Sequence, residues 1–148
     1  MNTSTFWGTW RLVRFEVRGR NGDASHPFGL DAAGYLLYGQ DGYMAAALMQ
    51  AKRKNFASAD ILEASAEEKA AAFDSYSSYC GTYSVTDNKV IHHIACSQLP
   101  SWSGTDQERF FEFSEDYERL TLRTAPLLAG GEEQTLVAMW ERVKADKR

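Results

Sequence analysis

Gly8-Thr9-Trp10-Arg11-Leu12-Val13-Arg14-Phe15-Glu16-Val17 reads as one long β-strand, and Trp140-Glu141-Arg142 stands near the far end of the chain. β-Branched and aromatic residues dominate the first segment, and Gly19-Arg20-Asn21-Gly22-Asp23 behind it is a strong turn. A closed sheet must bring its first and last strands together, because closure is what removes unpaired edges. The early Trp10 can then be covered by the late Arg142, whose guanidinium stacks on the indole and donates to nearby carbonyls. Trp10 and Arg142 are therefore expected to mark a structural floor.

Working outward, strand signals continue. Gly34 to Tyr38 and Tyr43 to Met49 flank Gly39-Gln40-Asp41-Gly42, where Asp-Gly favours a tight hairpin. After Cys80 come segments 81–85, 90–97, 109–114, 119–124 and 134–143, with a link at 129–133 that reads as flexible. Between them, Ser65-Ala66-Glu67-Glu68 matches a capping box, and the alanine-rich stretch behind it predicts one short helix around residues 65–79. Ala70, Phe73 and Ser77 are expected to lie against something apolar, such as an open barrel end. Eight or so strands without βαβ alternation predict an all-β fold, a single eight-stranded antiparallel up-and-down barrel occupying residues 1–148 as one domain.

Several motifs occur in order along the chain: His26-Pro27-Phe28-Gly29, Gly34-Tyr35-Leu36-Leu37-Tyr38, Tyr79-Cys80-Gly81-Thr82-Tyr83, Val90-Ile91-His92-His93-Ile94, Pro100-Ser101-Trp102-Ser103-Gly104 and Trp140-Glu141-Arg142. With Gly8-x-Trp10, this series resembles the bacterial and fungal lipocalin-like domain family over nearly the whole chain. The resemblance implies an eight-stranded barrel with a central cavity, in a family whose members occur near metabolic and natural-product genes. It implies no single chemistry.

Composition narrows the partners. The chain has 148 residues, 44% hydrophobic and 13% aromatic, with a formal net charge of -4. No basic stripe could follow phosphates, so nucleic acid is not expected. No apolar run is long enough to span a membrane, and the polar Met1–Thr5 start does not read as a signal peptide. A cytoplasmic protein with reduced thiols is the default, Cys80 and Cys96 being expected as small buried hydrophobes. A small-molecule ligand is the expected partner, and a homodimer is left open.

Period-2 alternation selects the interior. Arg109, Phe111 and Phe113 share one face, His92 is read inward with Val90 and Ile94, and Tyr79 and Tyr83 share another face with Leu122 as apolar wall. Tyr38, Tyr79, Trp102, Phe111, Phe113 and Leu122 are thus the candidate ligand-binding residues. His92, Arg109 and Tyr83 are the candidate catalytic residues for a cofactor-free isomerase, cyclase or lyase. In that scheme imidazole moves a proton, and guanidinium and phenol hold an oxyanion. The alternatives are that Arg109 turns outward or pairs with Glu112 or Glu141, and that His92 is a satisfied core histidine. The first reading is a carrier barrel for a small hydrophobic molecule, which needs only shape, aromatic walls and one polar anchor. No cofactor is expected. Adjacent His92 and His93 point to opposite faces of a strand and do not read as a metal site.

Overall fold

The computed structural model describes residues 2–145. Its strands are β1 (Gly8–Gly19), β2 (Ala24–Ser25), β3 (Ala33–Tyr38), β4 (Tyr43–Met49), β5 (Tyr76–Val85), β6 (Lys89–Ser97), β7 (Asp106–Phe113), β8 (Arg119–Arg123), β9 (Leu127–Ala129) and β10 (Glu132–Arg142). The helix α1 runs Ala66–Asp74, and short 3-10 turns cover Thr3–Phe6 and Pro100–Trp102. Strands β1, β3 to β8 and β10 pair antiparallel in chain order, and β10 closes the sheet onto β1. The result is a closed eight-stranded up-and-down barrel, with β2 and β9 as short additions at its upper end.

Closure puts Trp10 opposite Arg142 in the β1–β10 register. The guanidinium lies 4.2 Å from the Trp10 ring centroid and donates to Trp7 O and Thr5 O, each at 2.9 Å, and to Tyr117 O at 3.2 Å. Tyr117 adopts φ 58, a left-handed conformation that costs a non-glycine residue on the order of 1 kcal/mol and here aims its carbonyl at Arg142. Below Trp10 the N-terminal turn inserts Phe6, fully buried, whose backbone carbonyl accepts the Trp10 indole N–H at 2.9 Å. Phe6 meets Tyr38, Phe111 and Phe113 edge-on at 5.4, 5.0 and 5.0 Å. The floor is therefore an aromatic plug, and the cavity opens at the opposite end.

Two bulges set which side chains point inward. The β1–β10 register shifts between Leu12 and Arg14, so the inward phase passes from Trp10 and Leu12 to Phe15 and Val17. The β5–β6 register shifts at Cys80/Gly81. A Cβ on Gly81 would collide with the His93 carbonyl and sit 2.9 Å from Ala95 N, so no side chain fits there. Gly81→Ala is expected to cost about 1–3 kcal/mol through overpacking. A urea-unfolding midpoint equal to the parent's would contradict that.

Several expectations need correction. The helix ends at Asp74 rather than near residue 79, because Tyr76 to Tyr79 pair with β4 from Met49 to Ala46. The serines there favour competing hydrogen bonds over helix continuation, and Ser75 Oγ turns back onto Ala71 O at 2.8 Å. The capping box is present, Glu68 N–H donating to Ser65 Oγ and Ser65 N–H to Glu68 Oε1. The Ser65 and Ala57 amide N–H groups, which both donate to it, hold the Glu68 carboxyl below its ordinary pKa. No residue of α1 is buried, and Ala70 and Phe73 are exposed, so the helix does not seal the barrel. The link at 129–133 is a tight β9–β10 hairpin, with Gly130 (φ 64) and Gly131 (φ 84) supplying the left-handed turn.

Cys80 and Cys96 are exposed free thiols facing each other across β5 and β6, not core residues. They lie on the outer wall, where Tyr35, Leu37 and Tyr43 also stand exposed beside Ala45 and Ala47. Among the described residues no helix is long and apolar enough to cross a membrane.

Candidate functional site

His92 points inward from the middle of β6, 1% exposed, with Val90 and Ile94 on the same face. Its Nε2 lies 2.7 Å from the Tyr38 hydroxyl, and its Nδ1 lies 2.7 Å from the Tyr79 hydroxyl. Both ring nitrogens are therefore engaged. Burial, then the nearby Arg109 charge, then His93, lower the His92 pKa to about 3, so the ring is neutral at physiological pH. A neutral imidazole has one donor and one acceptor. Tyr38 is buried and, among the described residues, has His92 as its hydroxyl's partner. The arrangement that satisfies Tyr38 has its O–H donating to Nε2 and the Nδ1–H donating to the Tyr79 oxygen. The Tyr79 O–H is then free to donate to a further group.

Burial raises the phenol pKa of both Tyr38 and Tyr79, which keeps them protonated. For Tyr79 the charge of the nearby Arg109 guanidinium opposes that rise. Arg109 itself is buried, donates to Glu108 O at 3.0 Å, and places its guanidinium 5.6 Å from the Trp102 ring centroid. Neither Glu112 nor Glu141 pairs with it; among the described residues no carboxylate lies within ion-pair distance of Arg109. The Pro100–Trp102 turn carries Trp102 over the upper end, where it meets Tyr79 edge-on at 6.0 Å.

These groups border a cavity of about 100 Å³. Tyr79, His92, Arg109 and Trp102 form its polar side, and Leu122, Leu36, Leu48 and Ala138 supply apolar wall. Phe28, on the loop between β2 and β3, lies over it against Phe15 at 5.4 Å. A cavity of roughly 150 Å³ holds benzene, so a ring bound in this smaller void fills it and reaches its open upper end. Anything longer extends toward Phe28 and Trp102.

Other candidates fall elsewhere. Phe111 and Phe113 point inward but pack around Phe6 in the floor, and Tyr38 supports His92 from below without bordering the cavity. Tyr83, expected beside His92 as a catalytic group, turns its hydroxyl to Gly39 O at 2.8 Å and clamps the β3–β4 hairpin. Its ring packs against Tyr38, tilted by 57° with centroids 4.8 Å apart. Phe15, Ala46, Leu48, Ser77, Leu136 and Trp140 also border the cavity, although none of them is among the candidate ligand-binding residues. For β4 and β10 plain alternation would have found them; Phe15 depends on the β1 bulge, which the residue pattern hides.

His93 faces outward, with Nε2 2.9 Å from Ser84 Oγ and Nδ1 2.7 Å from Asp106 Oδ1. The order matches a serine nucleophile, base and orienting acid, but all three residues lie on the outer face, away from the cavity. Among the described residues no group of three or more His, Cys, Asp or Glu is placed to hold a metal.

The model of the "Lipocalin-like domain" family matches residues 7–143. The chain is also 30% identical over 108 residues, 68% of its own length and 96% of the relative's, to the 4'-hydroxy-3'-methoxypropiophenone carrier protein ppsC of Aspergillus oryzae.

Proposed function

The chain belongs to the lipocalin-like domain family, and from that premise we propose that its barrel binds and carries a small oxygen-bearing aromatic molecule. The observation that carries this reading is the buried Arg109 guanidinium at the cavity wall, with no carboxylate partner among the described residues and the spare Tyr79 O–H beside it. A buried cation without a counter-charge is costly, and a bound phenolate, carboxylate or carbonyl oxygen relieves that cost. The remaining walls are aromatic and aliphatic, suited to a ring. The A. oryzae relative is named for carrying a compound of this chemical class.

The cofactor-free isomerase, cyclase or lyase alternative asks His92 to take a proton. Both its nitrogens are occupied, and burial leaves it a weak base with a pKa of about 3, far from the near-neutral value that suits a general base. That favours carriage over proton transfer.

Titration with 4'-hydroxy-3'-methoxypropiophenone, followed by intrinsic tryptophan fluorescence, is expected to saturate at one molecule per chain. Arg109→Met is expected to weaken binding by about 10- to 100-fold, the worth of a hydrogen bond to a charged donor. Equal affinity in parent and variant would overturn Arg109 as the anchor. Turnover of the ligand that falls at least ~100-fold in His92→Ala would overturn simple carriage.

A further inference from the structure

Trp140 lies on β10 at the cavity wall and is 2% exposed. Among the described residues its Nε1 is the buried side-chain nitrogen or oxygen left without a hydrogen-bond partner. The other core indole on this pair of strands, Trp10, donates to Phe6 O at 2.9 Å. Trp140's register neighbours, Leu12 on β1 and Leu120 on β8, have side chains that offer no acceptor. An orphaned buried N–H is costly, and a phenylalanine at this position would avoid that cost.

The barrel order gives the orphan a direction. Around the closed sheet the sequence is β1, β3, β4, β5, β6, β7, β8, β10, so β10 stands opposite β5. Trp140 therefore faces the Tyr79 side of the cavity across the barrel, with Arg109 on β7 between them. All three side chains border the enclosed space and carry donors, and the Trp140 indole N–H is the buried one without a partner among the described residues. A ligand satisfying them carries acceptor oxygens at both ends of a ring-sized body.

We propose that the Trp140 indole N–H is a specificity-determining donor, taking a ligand carbonyl oxygen while Tyr79 and Arg109 take a phenolic oxygen at the other end. The ligand class is thus a para-oxygenated aryl ketone or its close equivalent. The assignment rests on the carrier reading above. A neutral N–H suits a neutral carbonyl, and the cationic side suits the more acidic phenol.

Two probes differ only at the carbonyl: 4-hydroxyacetophenone and 4-ethylphenol. Calorimetric titration is expected to show the parent protein binding the ketone at least about tenfold more tightly than the alkylphenol, equivalent to ~1.4 kcal/mol. In Trp140→Phe that preference disappears, the ketone losing about tenfold more affinity than 4-ethylphenol loses. On the parent protein, the Trp140 indole N–H proton resonance moves downfield with the ketone and not with 4-ethylphenol. This second readout needs no variant, so it holds if Trp140→Phe folds poorly. If both probes bind the parent but the preference survives in the variant and the indole resonance stays still, the Trp140 assignment is overturned and the carrier reading stands. If neither probe binds the parent, both fall.

Discussion

Replacing Trp10 by alanine is expected to lower stability by roughly 3–5 kcal/mol, the range for large core aromatics, without altering where the cavity lies. The size follows from what converges on that ring. Trp10 is fully buried, its indole N–H holds the N-terminal turn through Phe6 O, and Arg142 covers its face at 4.2 Å. Truncation would leave a void beside Phe113, 6.1 Å away centroid to centroid, and deprive Arg142 of the surface it stacks on. For a chain of this length each kcal/mol is worth about 2–4 °C, so the melting temperature is expected to fall by roughly 10 °C. Arg142→Met keeps some of the apolar cover but loses the donors to Thr5, Trp7 and Tyr117, and is expected to cost less. A Trp10→Ala protein melting within a degree or two of the parent would show that the floor is held by Phe6 and its aromatic neighbours alone.

The same residues show why the fold was legible. Trp10 and Arg142 carry their meaning in position, one in the first strand and one in the last, so the requirement for edge closure joins them. Strand periodicity then put His92, Arg109 and Tyr79 inside, because a period of two allows only two answers per strand. Legibility fell where a single residue shifts that period. The bulge after Leu12 sends Phe15 to the cavity and Arg14 outward, and nothing in the residue pattern announces it. Hydroxyl direction was equally hidden: Tyr79 and Tyr83 share an inward face, yet one bonds His92 and the other the Gly39 carbonyl. The helix end was misplaced because a serine- and tyrosine-rich segment is locally ambiguous, and pairing with β4 decides it. Trp140 was read only as a neighbour of Arg142. Its role at the cavity depends on an absent hydrogen-bond partner, which only coordinates reveal.

Acidification supplies the second large effect, and its sign follows from His92. The buried ring has its pKa lowered from 6.5 to about 3, first by burial and then by Arg109. In the unfolded chain the imidazole takes up a proton as pH falls through about 6.5, whereas the folded protein refuses it until about pH 3. The unfolded state therefore binds more protons across this window, and stability declines as pH falls. Above about pH 6.5 His92 contributes no further change. Each pKa unit is worth 1.36 kcal/mol, so the full window withdraws on the order of 4–5 kcal/mol, and the step from about pH 6.5 to 5 withdraws roughly 2 kcal/mol. His92→Gln keeps one donor and one acceptor between Tyr38 and Tyr79 but cannot titrate. Urea unfolding of parent and variant at those two pH values is expected to show that ~2 kcal/mol difference in slope, the parent losing more. Equal slopes would mean that the folded protein protonates His92 readily. The imidazole would then be an available base in the cavity, and the case for proton transfer over carriage would reopen.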